Sequence, residues 1–197
     1  MKYPPAYNRL LVRKRILDVS ETITGRRRLR VFQRRVVSDK QIRTLIDATR
    51  TTPSAGNIQP GEFITVRDQQ NKRQLSAAAL NQAFIEEAPL VIVVCANEAR
   101  SGEGYGSRGV NLYCIQDTAA ATQNILLAAH ALGLGTCWVG AFQEEMVRKA
   151  LNTPTHVRPV AIIPVGYPAE KPALRRRRAT SEIVHQETYQ TIHNYKI

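Results

Sequence analysis

Acidic residues are scarce in this 197-residue chain: 16 Asp and Glu stand against 28 Lys and Arg, a formal net charge of +12. A surplus of that size calls for an anionic partner or a solvated basic face. Cysteine is scarce as well, and Cys95, Cys114 and Cys137 each lie in apolar sequence with no CxxC pair and no histidine nearby. That pattern argues against a zinc site, so no metal is expected, and it favours a reducing cytoplasm over a disulfide framework. Aromatics make up only 6% and do not alternate with the basic runs, so the stacking platforms of a nucleic-acid surface are missing. No apolar run reaches the roughly 20 residues of a membrane span. The N-terminus has no signal-peptide core, and its arginine-rich start is interrupted by Asp18 and Glu21.

What is present suits one folded domain, 43% apolar and 22% charged, long enough to build a core without metal or disulfide support. Its longest apolar stretch, Gln116 to Gly140, predicts a buried helix around which the rest packs. Asp117 and Thr118 can cap its start, and Gly133 can close its end in the left-handed conformation. Ala119, Ala120, Ala121, Ala128, Ala129 and Ala131 thin one side enough for a second helix to approach, which suits a core or dimer helix. Beyond it, Gly133, Gly135 and Gly140 flank Thr136, Cys137, Trp138 and Val139. This is either a bare backbone offered to a flat ligand or a plain helix-to-strand turn around a core Trp.

The surplus charge is concentrated. Arg26, Arg27, Arg28, Arg30, Arg34 and Arg35 form one run and Arg175 to Arg178 another, so ten of the 28 basic residues fall in two short stretches. The planar guanidinium suits bidentate recognition of phosphate or carboxylate. A solvated basic face and a nucleic-acid surface are the alternatives.

The remaining segments alternate between helical and extended patterns. Residues 1–6 read as a loose arm because of Pro4 and Pro5, and Val12, Ile16, Val19 and Ile23 as an amphipathic helix ending near Gly25. Ser38 and Gln41 form a capping box for a helix that turns Ile42, Leu45, Ile46 and Ala48 inward and stops before Pro53. PSAGNIQPGEF is irregular, with short polar groups suited to ligand contact. A strand is expected at Phe63 to Val66, a helix at Gln69 to Leu80 and a buried strand at LVIVVCA. The polar residues 97–111, with SGEGYGSRG, read as a mobile lid or substrate loop. Phe142 to Leu151 is a short helix, and Val160 to Tyr167 a buried strand in which Pro164 suggests an edge or a bulge. From Ala169 the tail is basic and has too little apolar surface for a core of its own. Helices mixed with strands in this order fit a three-layer α+β domain.

Taken together, RRRLRVF, PSAGNIQP, AAATQNILLAAHALGLGTCWVGAF, AIIPVGYP and RRRRATSEIVHQE resemble, in order and spacing, the FMN-dependent nitroreductase family, from about Arg26 to Tyr189. The resemblance implies a nitroreductase-like fold, a central mixed sheet flanked by helices, with the long central helix at a homodimer interface. It divides the chain into an N-terminal arm and helix, residues 1–25, and an FMN-binding domain, residues 26–197. It implies an FMN-dependent NAD(P)H oxidoreductase in which NADH or NADPH gives a hydride to the flavin and an electron-poor small molecule, such as a nitroaromatic or quinone, then takes its place in ping-pong order. The flavin performs the chemistry, so no protein residue is expected to be catalytic in its own right. Neither nucleic acid nor membrane is an expected partner, and the cytoplasm is the expected location.

Carried over by position, Arg26, Arg27 and Arg30 hold the FMN phosphate, joined by Arg175 and Arg177, while Arg28 replaces the family's usual serine and adds charge. Ser54 and Asn57, with the backbone of Pro53 and Ala55, belong to the loop that meets the ring from the neighbouring subunit. Val139 and Gly140 supply the backbone beside the ring, and Gln116 a further polar contact. Gly61 stands where the family usually has an aromatic residue, which predicts a wider pocket. Two alternatives stand beside this reading. One is a specialised flavin enzyme of the same fold, a dehydrogenase, reductive dehalogenase or flavin-cleaving enzyme, which the short lid disfavours. The other is a basic module that binds nucleic acid or polyphosphate.

Overall fold

The run LVIVVCAN forms the strand on which both layers of the core meet. In the computed structural model, which describes residues 18–189, this strand β2 (Leu90–Asn97) lies second in a four-stranded sheet of order β1-β2-β4-β3, with β1 (Gly61–Val66), β3 (Gly135–Thr136) and β4 (Val157–Gly166). Every ladder in the sheet is antiparallel, and a parallel bridge from Arg28 to Thr136 adds the arginine run at its edge. Side chains alternate across a strand. Val91, Val93 and Cys95 therefore enter one apolar cluster, with α3 (Gln69–Ala78), α4 (Phe84–Glu87) and α7 (Glu144–Leu151). Leu90, Ile92 and Val94 enter the other, with α2 (Asp39–Arg50) and α6 (Cys114–Ala131). Burial on both faces explains why β2 reads as continuous apolar sequence rather than as an alternating pattern. The chain is thus the expected three-layer α+β fold.

Local chemistry sets the element ends. Ser38 accepts the Gln41 N–H at 3.3 Å while the Gln41 side chain accepts the Ser38 N–H at 3.1 Å, the expected capping box of α2. Asp18 and Glu21 build a second box on α1 (Val19–Gly25), whose predicted upstream portion, with Val12 and Ile16, lies outside the described residues. Val19 and Ile23 do not face the core: they are 74% and 54% exposed. The central helix ends as expected, with Gly133 at φ 73°.

Four expectations need correction. Residues 97–111 form no loop: Asn97 caps α5 (Glu98–Arg108), and one wide turn, Gly109–Tyr113, joins it to α6. Glycine hides this helix from sequence reading because Gly106, at φ 54° and ψ −140°, kinks it in a conformation other residues avoid. As a result α6 begins at Cys114, so Asp117 and Thr118 lie inside it and do not cap it; Thr118 instead returns its hydroxyl to the Cys114 carbonyl at 2.6 Å. Pro164 sits neither on an edge strand nor at the bulge, which falls at Val94–Cys95. Opposite Cys137 it accepts that residue's N–H at 3.4 Å but has none to return, so the ladder between β3 and β4 loses a rung there. Trp138 is not a core residue but is 42% exposed.

Ile92 is fully buried between α2, α6 and the sheet. Ile92→Ala is expected to lower unfolding free energy by about 2–5 kcal/mol, read from the denaturant midpoint at unchanged slope. A loss well under about 1 kcal/mol would contradict the tight two-sided core.

Candidate functional site

The first arginine run leaves α1 in extended conformation and lies along the turn after α6. Leu29 is the buried residue of the run; its side chain fills the space over Gly135, where an added Cβ would come within 2.4 Å of it. Period-two alternation then places Arg28 and Arg30 on the opposite side from Leu29, and both are exposed. The charges of Arg26, Arg28 and Arg30 all act on the Cys137 thiol, whose pKa is nevertheless raised because burial outweighs them. Arg30 also lies over the Phe84 ring, 4.9 Å from its centroid. Arg26 feels Arg177: burial first, then Arg177 and Arg27, lower its pKa. Residues of the two distant arginine runs therefore approach each other. Among the described residues, no carboxylate forms an ion pair with Arg26, Arg27, Arg28, Arg30, Arg175 or Arg177. Uncompensated guanidiniums gathered in this way are suited to a multiply charged anion.

Not every arginine of the runs is free for such a role. Arg27 donates to the carbonyls of Thr24 and Arg26, the latter at 2.9 Å. Arg35 stacks 3.8 Å from the Tyr167 ring centroid, and Arg178 pairs with Glu182 at 3.4 Å. Arg175 is exposed in the irregular tail.

Val139 and Gly140 follow two and three residues after Cys137, and their backbones are not equivalent. Val139 exchanges both of its backbone hydrogen bonds with Ile162, each 3.0 Å long. Its N–H is therefore committed to the sheet. Gly140 is exposed, an added Cβ there would meet nothing within 4 Å, and its N–H has no partner among the described residues. A bare, unpaired donor at an open position is free to face a ligand.

The loop 53–60 is built at the other end of α6. Asp117, in the first turn of that helix, accepts the Ala55 N–H at 3.2 and 3.3 Å through its two oxygens. Burial raises the Asp117 pKa, partly offset by this bond. Ser54 Oγ accepts the Gln59 N–H and Asn57 Oδ1 accepts the Gln59 side-chain amide, both at 3.0 Å, so these two polar side chains hold the loop's shape. Asn57 and Gln59 take positive φ, 57° and 54°. Strained backbone of this kind persists where surrounding bonds fix it. Gln116 is exposed beside Asp117 and so belongs to this end, while Pro53 and Ser54 border a cleft of about 280 Å³ with Gly61, Phe63, Arg100 and Asp117.

The predicted site residues thus fall into two groups. Arg26, Arg28, Arg30, Arg177, Val139 and Gly140 form one, around the turn that follows α6. Pro53, Ser54, Ala55, Asn57 and Gln116 form the other, at the start of that helix. His130 marks the far end, with its Nε2 only 2.8 Å from a Cβ built at Gly25. From Asp117 to His130 the helix advances about 20 Å at its usual rise of 1.5 Å per residue. Among the described residues, no hydrogen bond or ion pair joins the loop to the two arginine runs or to Val139 and Gly140; the arginine that reaches it is Arg100, which donates to the Gln59 carbonyl at 3.4 Å.

Comparison with known proteins assigns the family. The description of the Nitroreductase family matches residues 23–83 and 69–167. The chain belongs to the nitroreductase family. A relative from Methanothermobacter thermautotrophicus, named for NADH dehydrogenase and NAD(P)H nitroreductase activity, is 36% identical over 81% of this chain and 82% of its own length. The Bacillus subtilis FMN reductase (NADPH) is 30% identical over 86% of this chain and 73% of its own. The solved NADPH:FMN oxidoreductase of Vibrio harveyi, complexed with NAD+, superposes at TM-score 0.81 with 26% identity, covering 88% of this chain and 79% of that one. Within this nitroreductase, sequence reading missed Asp117 as the anchor of the loop and His130 as a neighbour of the arginines. Both lie in the apolar helix, where period alone marks them as ordinary polar interruptions.

His130 supplies a pH test. Burial, then Arg26 and Arg27, lower its pKa below the ordinary 6.5. Above 6.5 it is neutral both folded and unfolded; as pH falls through 6.5 the unfolded chain binds a proton that the folded chain still refuses, so stability falls. His130→Gln should flatten this acid-side decline in flavin-free protein, as measured by urea midpoints from pH 7 downward. An identical decline in the variant would contradict the placement of the ring.

Proposed function

We infer that this nitroreductase is an FMN-dependent NAD(P)H oxidoreductase, with residues 26–197 as its flavin-binding domain and residues 1–25 preceding it. The observation that carries the reading is the gathering of uncompensated guanidiniums along the turn after α6, which leads on to the open Gly140 backbone. Arg26, Arg28, Arg30 and Arg177, with Arg175 from the tail, would hold the phosphate; Arg27 supports the run through backbone carbonyls. Each charged hydrogen bond contributes about 1.5–3 kcal/mol net, so two or three suffice to hold a dianion. Gly140 would direct its free N–H to the ring, where a fixed donor stabilises developing negative charge without offering an acid. FMN, when bound there, would supply the hydride chemistry between NADH or NADPH and an acceptor.

The loop carrying Ser54 and Asn57, with Gln116, would reach the ring of the other subunit in a homodimer. Its anchorage to Asp117, about 20 Å along α6 from the arginine end, supports this division between chains. Val19, Ile23 and Trp138 are apolar, exposed and near the same helix or the turn after it, and a second copy would cover them. The backbone on one side of the ring leaves the other side to nucleotide and acceptor in turn. Gly61 borders the cleft without a side chain of its own, and the Phe63 ring lies 3.0 Å from where its Cβ would be; a cleft floored in this way would accept electron-poor molecules of several shapes, nitroaromatics and quinones among them. The relatives' names support a small-molecule reductase of this kind, and the cytoplasm supplies its nucleotides.

Arg26→Ala is expected to weaken FMN binding to flavin-free protein by about 1.5–3 kcal/mol, the loss of one charged hydrogen bond. Fluorescence titration measures it, and sedimentation should find dimers in the wild type. Unchanged affinity in the variant, or a wild-type monomer that retains FMN, would overturn this reading.

A further inference from the structure

Glu170 stands at the root of the basic tail, 140 positions from Arg30, and its carboxylate crosses back to the arginine run. Its Oε1 accepts the backbone N–H of Arg30 at 2.7 Å and of Val31 at 3.1 Å. Neighbouring bonds lace the same two segments: Ala169 N–H to the Val31 carbonyl at 3.0 Å, Gln33 N–H to the Tyr167 carbonyl at 2.9 Å, and the Gln33 side chain to the Pro168 carbonyl at 2.7 Å. The tail that leaves this root carries Arg175 and then Arg177, the residue whose charge acts on Arg26. A carboxylate amid so many arginines would ordinarily form a salt bridge. Among the described residues Glu170 forms none, and its accepting oxygen serves two main-chain amides instead.

We propose that Glu170 is a positioning residue for the phosphate clamp: by holding the amides of Arg30 and Val31 it fixes the direction of the first arginine run and ties the root of the second run to it. The proposal rests on the reading that these arginines hold the FMN phosphate. Fixing the backbone at Arg30 fixes where the side chains of Arg28 and Arg30 leave it, and fastening Glu170 limits the reach of Arg175 and Arg177 to the same region. A negative charge beside an anion site opposes binding, so the contribution of Glu170 comes from order and not from attraction. A neutral oxygen of the same shape should therefore serve as well.

Flavin-free protein titrated with FMN and with riboflavin, which lacks the phosphate, isolates the phosphate contribution as the ratio of two dissociation constants. Glu170→Ala should cut the preference for FMN by about tenfold or more, the scale of one charge-assisted hydrogen bond, with riboflavin affinity unchanged. Glu170→Gln, which keeps the accepting oxygen and removes the opposing charge, should match or exceed the wild-type preference. Equal loss of both flavins in the Ala variant, an unchanged preference, or a Gln variant as impaired as the Ala variant would overturn the proposal. A wild-type protein that binds FMN no more tightly than riboflavin would instead refute the phosphate reading on which it rests.

Discussion

The length and rigidity of α6 set the terms for everything else. The helix is buried along Thr118, Ala121, Thr122, Ile125 and Ala129, so it acts as a fixed spacer between two polar ends. At its start a carboxylate, Asp117, holds a strained loop; at its end Gly133 turns the chain back so that the arginine run can lie beside β3. The two ends differ in chemistry. One has guanidiniums and an open backbone donor, the other has shaped polar groups, and about 20 Å of helix lies between them.

Electrostatics follow from that arrangement. The cluster at the arginine end is costly in isolation, as the lowered pKa values of Arg26 and His130 both indicate: burial penalises each charge and neighbouring cations add to the penalty. An anion bound there would offset that cost. The thiols contribute no reactivity here. Cys95, Cys114 and Cys137 are all buried and free, and burial raises the pKa of each, that of Cys95 to about 12, which keeps them protonated.

Strong local signals made most of the architecture legible in the sequence. The capping box at Ser38, the two-sided apolar run of β2 and the left-handed Gly133 each report on a single element whose chemistry is complete within a few residues. Glycine spacing misled at α5, because Gly102, Gly104 and Gly106 weaken helical preference while tertiary contacts still hold the helix; an added Cβ at Gly104 would strike Ile58 at 2.3 Å. The two arginine runs could be read as an anion clamp, but which of their members are free could not. Arg27 and Arg178 are drawn to nearby carbonyl and carboxylate oxygens, and Arg35 to a ring 132 positions away at Tyr167. The roles of Asp117, read as a helix cap, and of Glu170 escaped notice for a related reason. Each acts on backbone amides distant in sequence, and no spacing rule connects a carboxylate to such a partner.

The central claim is that one flavin is held by both ends of α6, each from a different chain. A crystal structure of the protein with FMN tests it most directly. The phosphate should lie against Arg26 and Arg177 of one subunit and the ring beside Gly140 of that subunit, with the Ser54–Asn57 loop of the partner against the ring. A flavin enclosed by a single chain, or one whose phosphate lies away from the arginines, would contradict it.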